Sequence, residues 1–149
     1  MHSGTELYAE ALDEVSKKTP DVEKVLGLLN RSLATGDSQA AYALGTWYLH
    51  GYETHVKKDI RKAIQLLRQA ANGNVPDAVY DMAVSYETGV GVKKNPKLAM
   101  EYYLRAALLG EKQSFFEVGR CYYHGIGIEQ NKRLAKIWYD RAEELGVHD

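Results

Sequence analysis

The sequence is short of several things that would each have pointed to a function. It has one cysteine, Cys121, so no disulfide can close within the chain, which suits a reducing compartment. No apolar run approaches the ~18 residues of a membrane-spanning helix. The segment Met1 to Glu6 lacks the basic and apolar regions of a secretory signal. These absences predict a cytoplasmic chain without a membrane span. An excess of one charge is also missing: 19 Lys and Arg stand among 20 Asp and Glu, and the net charge is −1. Nucleic-acid-binding surfaces carry a basic excess to neutralise phosphates, so no nucleic-acid partner is expected.

Catalytic signatures are absent as well. There is no phosphate-binding glycine loop, nucleophile elbow, His-Glu-x-x-His or Ser-x-x-Lys. Gly89-Val90-Gly91 recurs as Gly125-Ile126-Gly127, which marks a repeated connection and not a dinucleotide fingerprint. His50 and His124 hold the same repeat position with a whole unit between them. His55 follows His50 by five residues, and no carboxylate or cysteine completes a ligand set. Cys121 takes the slot filled elsewhere by Trp47 and Ser85, as a packed thiol would. The expectation is a chain with no enzymatic activity, no metal and no cofactor.

What is present is repetition. The segments 37–74, 75–111 and 112–149 align almost throughout. Leu44-Gly45-Thr46-Trp47-Tyr48 matches Met82-Ala83-Val84-Ser85-Tyr86 and Val118-Gly119-Arg120-Cys121-Tyr122. The second halves open at Asp59, Asn95 and Asn131, with Ala63, Ala99 and Ala135 four residues later. A degraded unit over 3–36 precedes them, with Leu7, Tyr8, Ala9 and Leu12 in its first half and Leu28-Leu29 in its second. The Tyr52 to Val56 connection is longer than its equivalent at Val90 to Val92, a cheap place to add chain.

Both halves of each unit carry helical periodicity, as Leu98, Tyr102, Ala106 and Leu109 illustrate. Asp59, Asn95 and Asn131 stand where an N-cap accepts orphan N–H groups, and Pro96 suits the first helical position. Glycines Gly51, Gly89, Gly125, Gly36, Gly110 and Gly146 fall at helix ends. Gly45, Ala83 and Gly119, with Ala63, Ala99 and Ala135, predict close approach of paired helices, because mid-helix glycine costs ~1 kcal/mol against alanine. The prediction is an all-α chain, 1–149 as one repeat domain of about four helix-turn-helix units, an α-solenoid in which stacking supplies the core.

This arrangement resembles the Sel1-like repeat family, a branch of the tetratricopeptide-like α-solenoids. Residues 78–110 carry the pattern best, through Ala78, Met82, Ala83, Tyr86, Gly89, Gly91, Ala99, Tyr102, Ala106 and Gly110. The resemblance implies a right-handed superhelix whose first helices line a concave face, and a role as an adaptor or scaffold that binds a peptide or protein. Some bacterial members are immunity proteins, so a toxin or enzyme inhibitor is the alternative. Register transfer places Tyr42, Tyr80 and Phe116 in one column of that face. Thr46, Val84 and Arg120 form a second, Leu49, Glu87 and Tyr123 a third, and Asp77 lies at the edge between Gln39 and Gln113. The last pair, with Ile137, Trp138 and Leu145, is a candidate surface for self-association.

Overall fold

The computed structural model describes residues 2–148, and they form eight helices with no strand among the described residues. In chain order they are α1 (Gly4–Val15), α2 (Val22–Ala34), α3 (Ser38–His50), α4 (Ile60–Asn72), α5 (Pro76–Thr88), α6 (Pro96–Leu108), α7 (Gln113–His124) and α8 (Lys132–Glu144). They pack as consecutive pairs, α1 with α2, α3 with α4, α5 with α6 and α7 with α8. The chain divides into two compact units, one ending at Val75 and the other starting at Pro76.

Capping explains why the helices start where they do. Ser3, Asp21, Asp37, Asp59, Asn95 and Asn131 each accept an N–H bond from the residue three ahead. The helix α7 departs from this scheme, because Lys112 offers no side-chain cap. Glu111 substitutes, its carboxylate accepting from the backbone N–H of Gln113 at 2.9 Å and Ser114 at 2.8 Å. The connections within pairs are pinned identically: the N–H groups of Asp59, Asn95 and Asn131 donate to the carbonyls of Tyr48, Tyr86 and Tyr122, each at 2.8 Å.

In the first unit, Leu7 and Ala11 of α1 are buried with Val25, Leu28 and Leu29 of α2. Ser32 donates to the Gly4 carbonyl at 2.7 Å, tying the end of α2 to the start of α1. Glu14 is buried yet satisfied: it accepts from the Asp21 backbone N–H at 3.1 Å and pairs with Lys17 at 2.9 Å and Lys24 at 3.3 Å. These bonds hold its carboxyl down at about 2, the Asp21 N–H contributing most. Leu44 and Gly45 are buried with Ala63, Ile64, Leu66, Leu67, Ala70 and Ala71 of α4. A Cβ on Gly45 would stand 3.1 Å from the Leu67 side chain, so the recurrent small residue there does serve close approach.

The long connection after α3 is folded, not slack. Tyr52 and Val56 bond each other's backbones at 2.9 and 3.1 Å, Tyr52 stacks on Trp47 at 5.2 Å, and Val56 is buried. After α4 the left-handed residue is Asn74 (φ 61), where the other second helices use glycine.

In the second unit, Ala78, Val79, Met82, Ala83, Met100, Tyr103 and Ala106 form the core of the α5–α6 pair. Val118, Gly119, Cys121, Ala135 and Ala142 do the same for α7–α8. Gly127 has φ 69, and a Cβ there would run into the Pro96 carbonyl, so the connection lies directly on the preceding pair.

Candidate partner-binding face

The predicted site residues lie on the first helices of each pair, and the two units treat them differently. In the first unit, Tyr42, Thr46 and Leu49 are half-buried. Thr46 donates its hydroxyl to the Tyr42 carbonyl at 3.0 Å. Tyr42 and Thr46 come together along an apolar groove of about 260 Å³, with Tyr8, Leu12, Val15 and Leu29 on its other wall.

The second unit gathers more of them. Glu87 on α5 and Arg120 on α7 form a forked pair, with guanidinium-to-carboxylate distances of 2.9 and 2.6 Å. Arg120 also donates to Glu117 at 2.7 Å, and the Tyr103 hydroxyl donates to Glu87 at 2.8 Å. The hydrogen bonds from Arg120 hold the Glu87 carboxyl below its ordinary range, ahead of the opposing effect of burial. Burial pushes the Tyr103 hydroxyl well up, and its bond to Glu87 adds to that. Glu87 and Arg120 therefore join α5 to α7.

Tyr80 sits half-buried with its ring edge-on to Tyr103 at 5.8 Å. Its hydroxyl is pushed up to about 12, by burial first and then by Glu117, Glu111 and Asp81. Val84 is half-buried and Asp77 exposed. Phe116 packs on Tyr139 at 5.2 Å, and Tyr123 is 41% exposed with the Lys132 ammonium 5.2 Å from its ring centre.

Sequence reasoning missed the acidity of this side of the second unit. Asp81 is half-buried, and its carboxyl is raised to about 6 by burial first and then by Asp77 and Glu111. The signal was legible: Asp77 and Asp81 are one helical turn apart, and Glu117 falls in the column of Asp81. The near-even charge of the whole sequence therefore hides a local acidic bias in this unit.

Cys121 is fully buried, and desolvation pushes its thiol up to about 12. Among the described residues no three His, Cys, Asp or Glu side chains are placed to share a metal ion. No described helix is long and apolar enough to cross a membrane. Of the apolar residues named for self-association, Ile137 is 58% exposed, while Trp138 is half-buried against Phe115 and Leu145 is half-buried.

The pairing of helices and the repeated caps define an all-α repeat fold of the α-solenoid class. The sequence profile of the Sel1 repeat matches residues 38–75, 76–111 and 116–147, and the chain belongs to that family. Sel1 repeat proteins typically act in protein–protein interaction and not as enzymes.

Among solved structures, a Sel1 repeat protein from Oxalobacter formigenes superposes with a TM-score of 0.88 at 28% identity, over 97% of this chain and 59% of that one. An immunity protein from Pseudomonas aeruginosa superposes with a TM-score of 0.66 at 25% identity, over 96% of this chain and 53% of that one. The chitin synthase regulator SKT5 of Saccharomyces cerevisiae is 40% identical over 60 residues, 40% of this chain and 9% of its own length. The chain thus spans less than two thirds of each of these relatives.

Proposed function

We propose that this protein is a non-catalytic adaptor that binds a peptide or a partner protein on the exposed side of its first helices. The observation that carries this reading is the partly exposed aromatic series Tyr80, Phe116 and Tyr123 of the second unit, set beside the Glu87, Arg120 and Glu117 side chains that already fix one another. Rigid, half-buried aromatics bordered by oriented charge are what interface hot spots are made of. In the second unit the acidic residues Asp77, Asp81, Glu111 and Glu117 outnumber Arg120, which favours a partner segment carrying lysine or arginine.

The test is affinity capture with the purified chain as bait, beside a version carrying Tyr42→Ala, Tyr80→Ala and Phe116→Ala. A partner retained by the first and lost by the second, with helical circular dichroism preserved in both, is the expected result. A partner held equally by both removes the face from consideration.

A second reading rests on the likeness to the Pseudomonas immunity protein. Under it, the same face occludes a toxin or an enzyme. Protection of cells that co-express the chain with a toxin encoded beside its gene would favour this reading over the adaptor.

A further inference from the structure

The slot between neighbouring first helices is filled in the second unit and open in the first. The repeat register carries α5 back by 72 residues onto α1, and α6 and α7 back by 74 onto α2 and α3. In the second unit Glu87, Tyr103, Glu117 and Arg120 meet across the slot, tied by the hydrogen bonds of Arg120 to both glutamates and of Tyr103 to Glu87. Their counterparts in the first unit are Val15, Leu29, Ala43 and Thr46. All four line the apolar groove of about 260 Å³. Where one unit has a guanidinium, a phenol and two carboxylates, the other has three aliphatic groups and a hydroxyl.

The groove therefore owes its opening to side chains too short to meet, and not to the place where the sequence begins. It runs between α1 and α3, and Val25 and Leu29 of α2, 2% and 3% exposed, form its floor. Leu12 and Val15 on its α1 wall are 49% and 43% exposed, an open apolar pair one helical turn apart.

The lining also selects what can enter. None of its residues is charged at neutral pH, so an ionised side chain would lose its water there and find no counter-ion. The polar groups on offer suit a peptide backbone. Thr46 spends its hydrogen on the Tyr42 carbonyl, which leaves its oxygen to accept an N–H. The Tyr8 hydroxyl, pushed up by burial and then by Asp37, stays protonated and can donate to a carbonyl. An apolar cavity of about 150 Å³ holds one benzene ring, so this groove has room for one large side chain and the backbone that carries it.

We infer that the groove between α1 and α3 is an anchor socket for a peptide segment of the partner, taking one large uncharged apolar side chain where the second unit places Arg120 and Tyr103. The inference rests on the reading of the first helices as the partner-binding face. It adds an apolar anchor, such as leucine, phenylalanine or tryptophan, to the basic residue favoured by the acidic second unit.

The experiment titrates synthetic peptides, acetyl-Ser-Gly-X-Gly-Ser-amide with X as leucine, phenylalanine, tryptophan, lysine or glutamate, into the full chain and follows its methyl groups by NMR. Saturable shifts at Leu12, Val15, Leu29 and Thr46 are expected with the three apolar peptides at millimolar concentration. The lysine and glutamate peptides should bind at least about tenfold more weakly. N-acetyl-phenylalaninamide, with less backbone to bond, should bind about threefold more weakly than the phenylalanine peptide. In the protein, Val15→Glu with Thr46→Arg rebuilds the fork of the second unit inside the groove, and Ala43→Leu fills it without new charge. Each should weaken the phenylalanine peptide by about tenfold, with circular dichroism showing which variants are folded.

Absence of saturable shifts overturns the inference, and so does equal binding of the lysine peptide. Undiminished binding to a folded variant of either kind overturns it too, because the peptide would then sit elsewhere. Equal affinity for N-acetyl-phenylalaninamide would make the groove a small-molecule site and overturn the peptide assignment. These variants alter no residue that the triple-alanine protein alters. Failure here therefore strikes the socket and leaves the capture experiment to judge the first-helix face.

Discussion

Arg120→Met should turn a stabilising contact into a repulsive one, and the sign of its pH dependence identifies the cause. In the folded protein Arg120 lies 2.6 Å from both Glu87 and Glu117, with side-chain exposures of 27, 20 and 13% respectively. Methionine keeps the apolar stem but leaves two carboxylates facing each other across α5 and α7. Removing one partner of a fully buried pair costs about 3–5 kcal/mol. Partial exposure lets water screen this site, so the expected loss is about 2 kcal/mol.

The assay is urea unfolding followed by circular dichroism, where such a loss moves the midpoint by roughly 1 M. In the parent protein the Glu87 carboxyl is held below its unfolded value, so its stabilising effect is complete above the ordinary 4.5 and is lost as pH falls through the folded value. In the variant the unpaired carboxylates rise above that value instead. The folded state then binds the extra proton, and the variant gains more stability on acidification from neutral pH than the parent, since the raised Asp81 carboxyl contributes equally to both. Adding Glu87→Gln and Glu117→Gln to Arg120→Met should restore most of the loss at neutral pH. Equal midpoints for parent and variant at neutral and mildly acidic pH would refute this account and leave the cluster a surface ornament.

Two further outcomes follow from the packing. Asp81→Asn removes a carboxyl raised to about 6 by burial and by Asp77 and Glu111, so it should stabilise the protein at neutral pH by about 1 kcal/mol, a figure discounted for partial exposure. That advantage should shrink as pH falls from 6 towards the unfolded 3.8, where the native aspartate protonates more readily folded than unfolded; an advantage that grows on acidification contradicts the assignment. Gly119→Val should cost about 1–3 kcal/mol, because its Cβ alone would come within 2.8 Å of the Tyr139 ring, whereas Gly27→Ala, with nothing within 4 Å, should gain about 0.5–1 kcal/mol. Thermal melts of the two glycine variants moving in the same direction would mean that close approach is not what glycine serves at 119.

The sequence by itself determined the helix pairs, because what specifies them is local. Asp59, Asn95 and Asn131 cap helices wherever the chain is helical, and an apolar stripe needs only its own spacing. Repetition then made weak local signals strong, and Gly45 and Gly119 could be read as close-packing sites from recurrence alone. The use of Glu111 as the cap of α7, in place of Lys112, was not legible, since it depends on how the preceding turn aims a carboxylate.

The tertiary structure decided which polar residues are spent. Glu87 and Arg120 stand 33 residues apart, and only the stacking of α7 on α6 brings them within hydrogen-bonding distance of each other and of Tyr103. It likewise gathered Asp77, Asp81 and Glu111 into one acidic neighbourhood, although their charges vanish in a composition that is nearly neutral. Charge and exposure at a surface are sums over neighbours from different helices, and no single helix contains that sum. For the same reason Val15, Leu29, Ala43 and Thr46 came to light as walls of one groove only once α1, α2 and α3 were seen together.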